Sequence, residues 1–131
     1  MKSTGLSTKI NEKRKKQPLH RSFQSAFRGI KHGTEERNFL IHLFFGFLAI
    51  SLSFVFNLDL IEKTIIVVLT ALVLGVELIN SAIERSLDFI TTEHHPEIAK
   101  IKELMAAVVL VFVVAAFVVG VLIFSKAIFL K

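Results

Sequence analysis

The chain has 131 residues, no cysteine and a formal net charge of +5. That length suits one domain, and the absence of cysteine excludes disulfides and thiolate metal sites. Hydrophobic residues make up 53% of the sequence, above the about 45–50% usual in soluble proteins.

Residues 1–17 are polar and basic around KINEKRKK and are expected to be disordered. In a soluble protein such a charge would suggest nucleic acid. Beside long apolar runs it suits a tail facing anionic lipid, so no nucleic-acid partner is expected. Pro18 stands where helices accept proline, just inside their start. Leu19, Phe23, Ala26, Phe27 and Ile30 then recur on one face of a helix over 19–32, with Arg21, Gln24, Arg28 and Lys31 on the other. This pattern predicts an amphipathic helix lying on the bilayer surface. Gly33 ends it, Thr34 can cap the next helix, and Glu35 and Glu36 fall in that helix's first turn. Taken alone, Glu36 is as readily a helix-end residue as a functional one.

Three stretches lack Lys, Arg, Asp and Glu: Phe39 to Phe56, Thr64 to Val76 and Leu104 to Ser125. A membrane span needs about 20 mostly apolar residues. Spans are therefore predicted at about 39–56, 64–83 and 104–124. The fold class is an all-α membrane protein, with a surface helix followed by three transmembrane helices in one domain, 18–131. The first apolar run starts too late for a signal peptide and has no small-residue cleavage pattern after it, so none is expected. Ten of the sixteen Lys and Arg precede Phe39, and Arg85, Lys100 and Lys102 follow the second span. The positive-inside rule then places the N-terminus and the 84–103 link in the cytoplasm and the C-terminus outside.

The second span is too short unless it includes Glu77 and Asn80. At 100° per residue, Asn80, Glu84 and Asp88 lie at about −60°, −20° and +20° from Glu77, a stripe about 80° wide. Leu78, Ile79, Ala82, Ile83 and Leu87 cover the rest of the helix. A carboxylate near lipid is costly and marks a functional site more often than not. Surface charge is otherwise usually just solvated, which is the plain reading of Asp88 alone. For Glu77 the plain reading is a neutral acid hydrogen-bonded inside a bundle. A column of carboxylates with an amide suits a hard cation such as Mg²⁺, which typically arrives with nucleotide phosphates. Lys102 can add positive charge for those phosphates. Neither GxxxxGK[ST] nor GxGxxG occurs, so no glycine loop of the soluble nucleotide-binding kind is present.

The segment ELINSAIERSLD, residues 77–88, resembles the signature of the small bacterial integral-membrane lipid kinases, the diacylglycerol kinase and undecaprenol kinase family. SFQSAFRGI at 22–30, EERNFLIH at 35–42, EHHP at 93–96 and Lys102 match it in order and spacing, so the resemblance covers roughly 20–125. It implies ATP- and Mg²⁺-dependent phosphorylation of a membrane lipid alcohol at the cytoplasmic face of the bacterial plasma membrane. It implies Glu77 as general base, Glu36 and Glu84 as ligands of the nucleotide's Mg²⁺, and Asn80 and Asp88 as orienting residues. It implies nucleotide contacts at Ser25, Glu93, His94, His95, Lys102 and Glu103, and a homotrimer with sites between subunits. Ser25 and His94 stand where the family has Tyr, Glu103 where it has Asp, and Met105 where a small residue is usual. These departures bear on nucleotide affinity and rate more than on the reaction class.

Other readings stay open at this level. Adjacent His94 and His95 cannot share a helix face, so EHHPE is better read as a loop than as a zinc site. Intramembrane carboxylates also serve ion or proton transport, and a kinase-derived chain can act as a membrane assembly protein without catalysis. Glu36, Lys102 and the cytoplasmic placement favour the kinase. The RNFLIH form of the first span, at 37–42, is similar to the undecaprenol-preferring branch.

Overall fold

The structure is a computed structural model that describes residues 18–90 and 95–129. The tail expected at 1–17, and Glu93 and His94, lie outside the described residues. Four helices follow in order: α1 (Leu19–Gly33), α2 (Arg37–Val55), α3 (Leu60–Ile90) and α4 (Pro96–Phe129). No strand occurs among the described residues. The chain divides into two compact units, one ending at Lys31 and the other beginning at His32.

In the first unit, α1 is strongly two-faced, and its apolar residues Leu19, Phe23, Phe27 and Ile30 are all exposed. A helix with such a face open to solvent is built for an apolar or interfacial environment.

In the second unit α3 is the central helix, and α2 and α4 each pack on it. All three are long and apolar enough to cross a membrane. Most of their large apolar side chains face outward, which is expected where the surrounding solvent is hydrocarbon. Two junctions close the end far from the polar column. At the end of α2, Leu58 N–H donates to Ser53 O (3.1 Å) and Asn57 N–H to Phe54 O (3.1 Å). Asn57 sits at φ 51°, so this is a Schellman ending, with asparagine in the left-handed position. Asp59 and Glu62 then form a reciprocal capping box at the start of α3: Glu62 N–H donates to Asp59 Oδ1 (2.8 Å), and Asp59 N–H to Glu62 Oε2 (3.1 Å). Lys126 of α4 reaches the same corner, with Nζ 2.7 Å from Glu62 Oε1. Beneath it Leu58, Ile66 and Ile123 form a buried core, and Phe56 meets Phe124 edge-to-face at 5.8 Å.

The helices outrun the predicted spans. α3 continues to Ile90 and α4 begins at Pro96, giving rods of about 46 and 51 Å against a hydrocarbon thickness of about 30 Å. A helix does not stop where lipid stops, and here Asp88, Lys100 and Lys102 clothe the extra turns.

Two expectations for the α1–α2 junction are corrected. Thr34 does not cap α2: it lies in a turn, and Glu36 is the N-cap, in extended conformation at φ −90°, ψ 127°. Glu35 and Glu36 therefore precede the helix instead of occupying its first turn. Their carboxylates are drawn sideways to Arg85 of α3, a tertiary pull that a local capping rule does not contain. Gly33 ends α1 without a left-handed backbone. Its lack of a side chain matters for packing, because a Cβ there would lie 2.5 Å from Leu78 Cδ2.

Candidate active site

The column predicted on α3 is present, and its burial is graded. Glu77 is 2% exposed and Asn80 6%; Ser81 is also buried, Glu84 is half-buried and Asp88 is exposed. The side chains whose charges reach Glu77 are His42 of α2, Glu84 and Glu36. Glu36 and Glu84, 48 residues apart in sequence, thus both lie within electrostatic reach of one carboxylate. Asn80 Nδ2 donates to Glu84 Oε1 at 3.3 Å, while the buried Asn80 Oδ1 has no partner among the described residues. A buried amide oxygen without a donor costs free energy of about 1–3 kcal/mol, so this atom is suited to a donor from outside the single chain.

Arg85 closes the outer side. Its Nη2 lies 2.8 Å from Glu36 Oε1, 3.2 Å from Glu35 Oε2 and 3.2 Å from the His32 carbonyl, and its Nε is 3.2 Å from Glu36 Oε1. The Arg85 guanidinium beside Glu35, helped by His32, holds the Glu35 carboxyl below its ordinary value. Sequence reasoning missed Arg85 and His42 as members of this site. Arg85 does leave a signal: it follows Glu84 and stands about 80° from Glu77 around the helix.

The remaining predicted residues divide. Lys102 Nζ pairs with Asp88 Oδ1 at 2.5 Å, joining α4 to the lower end of the column, and Glu103 is exposed next to it. His95 caps α4: its carbonyl accepts from Ala99 N–H (3.1 Å), and its ring Nδ1 accepts from Glu97 N–H (3.3 Å). Ser25 belongs to the first unit, where it is exposed on α1. An apolar groove of about 660 Å³ lies among α2, α3 and α4, and His42 and Thr70 are the polar side chains lining it.

The donor set discriminates between kinds of metal site. Among the described residues no group of three His, Asp or Glu side chains is gathered tightly enough to hold an ion by itself. Two carboxylates do fit an ion such as Mg²⁺, which takes most of its ligands from phosphate and water.

Three long apolar helices with a carboxylate and an amide buried on the central one define a class: a helical membrane protein with a polar site inside its bundle. The profile of the family described as prokaryotic diacylglycerol kinase matches residues 24–124. An undecaprenol kinase of Bacillus subtilis is 38% identical over 105 residues, covering 79% of this chain and 85% of that protein. A diacylglycerol kinase of Synechocystis sp. is 34% identical over 101 residues, covering 76% of this chain and 58% of the relative. The chain belongs to the prokaryotic diacylglycerol kinase family and is a membrane-bound lipid kinase.

Proposed function

We propose that the chain transfers the γ-phosphoryl group of ATP, with Mg²⁺, to the hydroxyl of undecaprenol or diacylglycerol at the cytoplasmic face of the bacterial plasma membrane. The observation that carries this reading is the burial of Glu77 beside Asn80 in the central span. In the proposed step the acceptor O–H gives its proton to the Glu77 carboxylate. Its oxygen bonds to the γ-phosphorus, and the bond from that phosphorus to the ADP oxygen breaks. Mg²⁺, held by Glu36 and Glu84 and by the phosphates, would neutralise charge on the transferring group. Lys102, with Glu103, His95 and residues of the adjoining link, would face the nucleotide. Asn80 and Asp88 would orient Glu84 and Lys102, which they contact. The apolar groove that includes His42 offers room for the acceptor's hydrocarbon chain.

We read the active form as a homotrimer. The unpartnered Asn80 Oδ1 and the broad exposed apolar faces of α2 and α4 support sites completed by another subunit. Of the two acceptors, undecaprenol is favoured by the match to the undecaprenol kinase of Bacillus subtilis, 38% identical along an alignment that covers 85% of that protein. The test is purified protein in mixed micelles with labelled ATP, Mg²⁺ and a panel of lipid alcohols. Label should enter the undecaprenol fraction first, diacylglycerol second and neither without Mg²⁺. Failure to label any lipid alcohol would overturn the reading.

A further inference from the structure

We propose that Arg85 is the positioning residue of the nucleotide-metal side of the site, holding Glu36 where it can act together with Glu84. The inference rests on the reading of Glu36 and Glu84 given above. Glu36 does not sit on a helix: it is the extended residue before α2, and no side-chain hydrogen bond caps that helix. Left to itself, a carboxylate on such a turn would sample many rotamers. Arg85 removes that freedom from the opposite side of the junction. Two of its nitrogens converge on Oε1 of Glu36, and the same guanidinium reaches Glu35 and the His32 carbonyl. Nε and Nη2 of the planar fork thus meet three acceptors from one turn, a geometry a lysine cannot reproduce. Arg85 is also the next residue after Glu84. The helix that presents one carboxylate therefore supplies the clamp for the other, and a shift of the turn relative to α3 would break four contacts at once.

Charge makes the same point. The charges of Glu36 and Glu84 both reach Glu77, and like charges gathered without a cation repel. Arg85 places a permanent positive charge at the edge of that group before any nucleotide arrives. Its bonds to Glu36 both run to Oε1 of that carboxylate. A ligating carboxylate held through one oxygen by an outer residue is how metal sites gain orientation, and loss of such an outer residue typically costs about 10–100-fold in metal affinity or activity.

The test uses full-length protein in detergent with Arg85→Gln, Arg85→Lys, Glu36→Gln and the Arg85→Gln/Glu36→Gln double variant. Four quantities are measured: melting temperature, kcat, KM for Mg·ATP and KM for the lipid alcohol. Binding of Mn²⁺ with a non-hydrolysable ATP analogue, followed by electron paramagnetic resonance without acceptor, supplies a readout that does not need turnover. The expected result for Arg85→Gln is weaker Mn²⁺·nucleotide binding and a raised KM for Mg·ATP, each by about 10–100-fold, with KM for the lipid nearly unchanged. Lys should rescue only in part. In the double variant the two losses should not add, because both act through one carboxylate. A drop in melting temperature with Mn²⁺·nucleotide binding unchanged would overturn the proposal and leave Arg85 as a fold residue. Additive losses would overturn it too, since Arg85 would then act through another group. If Glu36→Gln binds Mn²⁺·nucleotide normally, the metal assignment of Glu36 falls first, and that result is distinct from a failure of Arg85 alone.

Discussion

Lys102 of α4 and Asp88 of α3 face each other across the link between their helices, with Nζ 2.5 Å from Oδ1. The pair places the proposed phosphate-binding ammonium directly below the carboxylate column. Asp88 is exposed and Lys102 partly exposed, so their attraction adds little to stability in water. Its importance is in where it points Lys102. Lys102→Met is expected to raise KM for Mg·ATP by about 10–100-fold, the usual worth of a hydrogen bond to a charged group. Asp88→Asn keeps the lysine but loosens it, and a few-fold rise is expected, with no change in melting temperature. Steady-state kinetics on both variants check this; equal effects from the two would place the role on Asp88 itself.

Glu77→Gln should separate catalysis from folding. Burying a carboxylate costs several kcal/mol unless it is paired or protonated, and Gln keeps the shape without that cost. Melting temperature should hold or rise. Activity should fall by about 10²–10⁴-fold, the usual contribution of a general base. Lipid-phosphate formation and thermal melting on one preparation decide it: normal turnover would leave the burial of Glu77 without a catalytic reason.

Glu84→Gln removes one anionic oxygen ligand from an ion that takes few from protein. The Gln side-chain oxygen can still accept from Asn80 Nδ2, which now bonds Glu84 Oε1, so the fold should survive. Nucleotide binding measured against Mg²⁺ concentration should shift to higher Mg²⁺. An unchanged Mg²⁺ dependence would remove Glu84 from the metal site.

Gly46 is the close-packing point of α2 on α3. A Cβ there would overlap Thr70 Cγ2, and Thr, branched at Cβ, has little rotamer freedom in a helix. Gly46→Ala should destabilise by about 1–3 kcal/mol, the range of overpacking in a filled core. Thermal melting in detergent checks it, and Thr70→Ser should recover much of the loss by removing the methyl group. A parent-like melting temperature in Gly46→Ala would show that the two helices can part at no cost.

Topology has a direct assay. With ten Lys and Arg before Phe39, an extracytoplasmic reporter fused after Lys131 should be active, and a cytoplasmic one silent. The opposite pattern would invert the proposed orientation.

The particular residues show why some features were legible in sequence and others were not. The α3 column follows from helix geometry alone, since Glu77, Asn80, Glu84 and Asp88 share one backbone element. Asp59 and Glu62 carry a local capping pattern three residues apart, equally legible, although it concerns only the start of α3. Glu36 is different. Local chemistry favours Thr34 as the cap, whereas the helix starts at Arg37 and the Glu36 carboxylate is bound by Arg85, 49 residues away. In sequence His42 is only the last residue of the motif at 35–42; packing puts it on the same groove as Gly46 and Val73 and within electrostatic reach of Glu77. Pairings between distant segments leave no periodic trace, so they become visible only once the helices are assembled.

The length of α3 bears on how the proposed acceptor would be supplied. From the predicted start of the span at residue 64 the helix rises about 20 Å to Glu77, which leaves Glu77 about 10 Å inside the far boundary of a hydrocarbon layer about 30 Å thick. That level lies within one leaflet, where the proposed acceptor is dissolved. On this reading the substrate need not leave the bilayer and would arrive by sideways diffusion in two dimensions. Rate should therefore follow the mole fraction of lipid alcohol in the surface, and diluting that surface with inert lipid should slow turnover at constant bulk concentration.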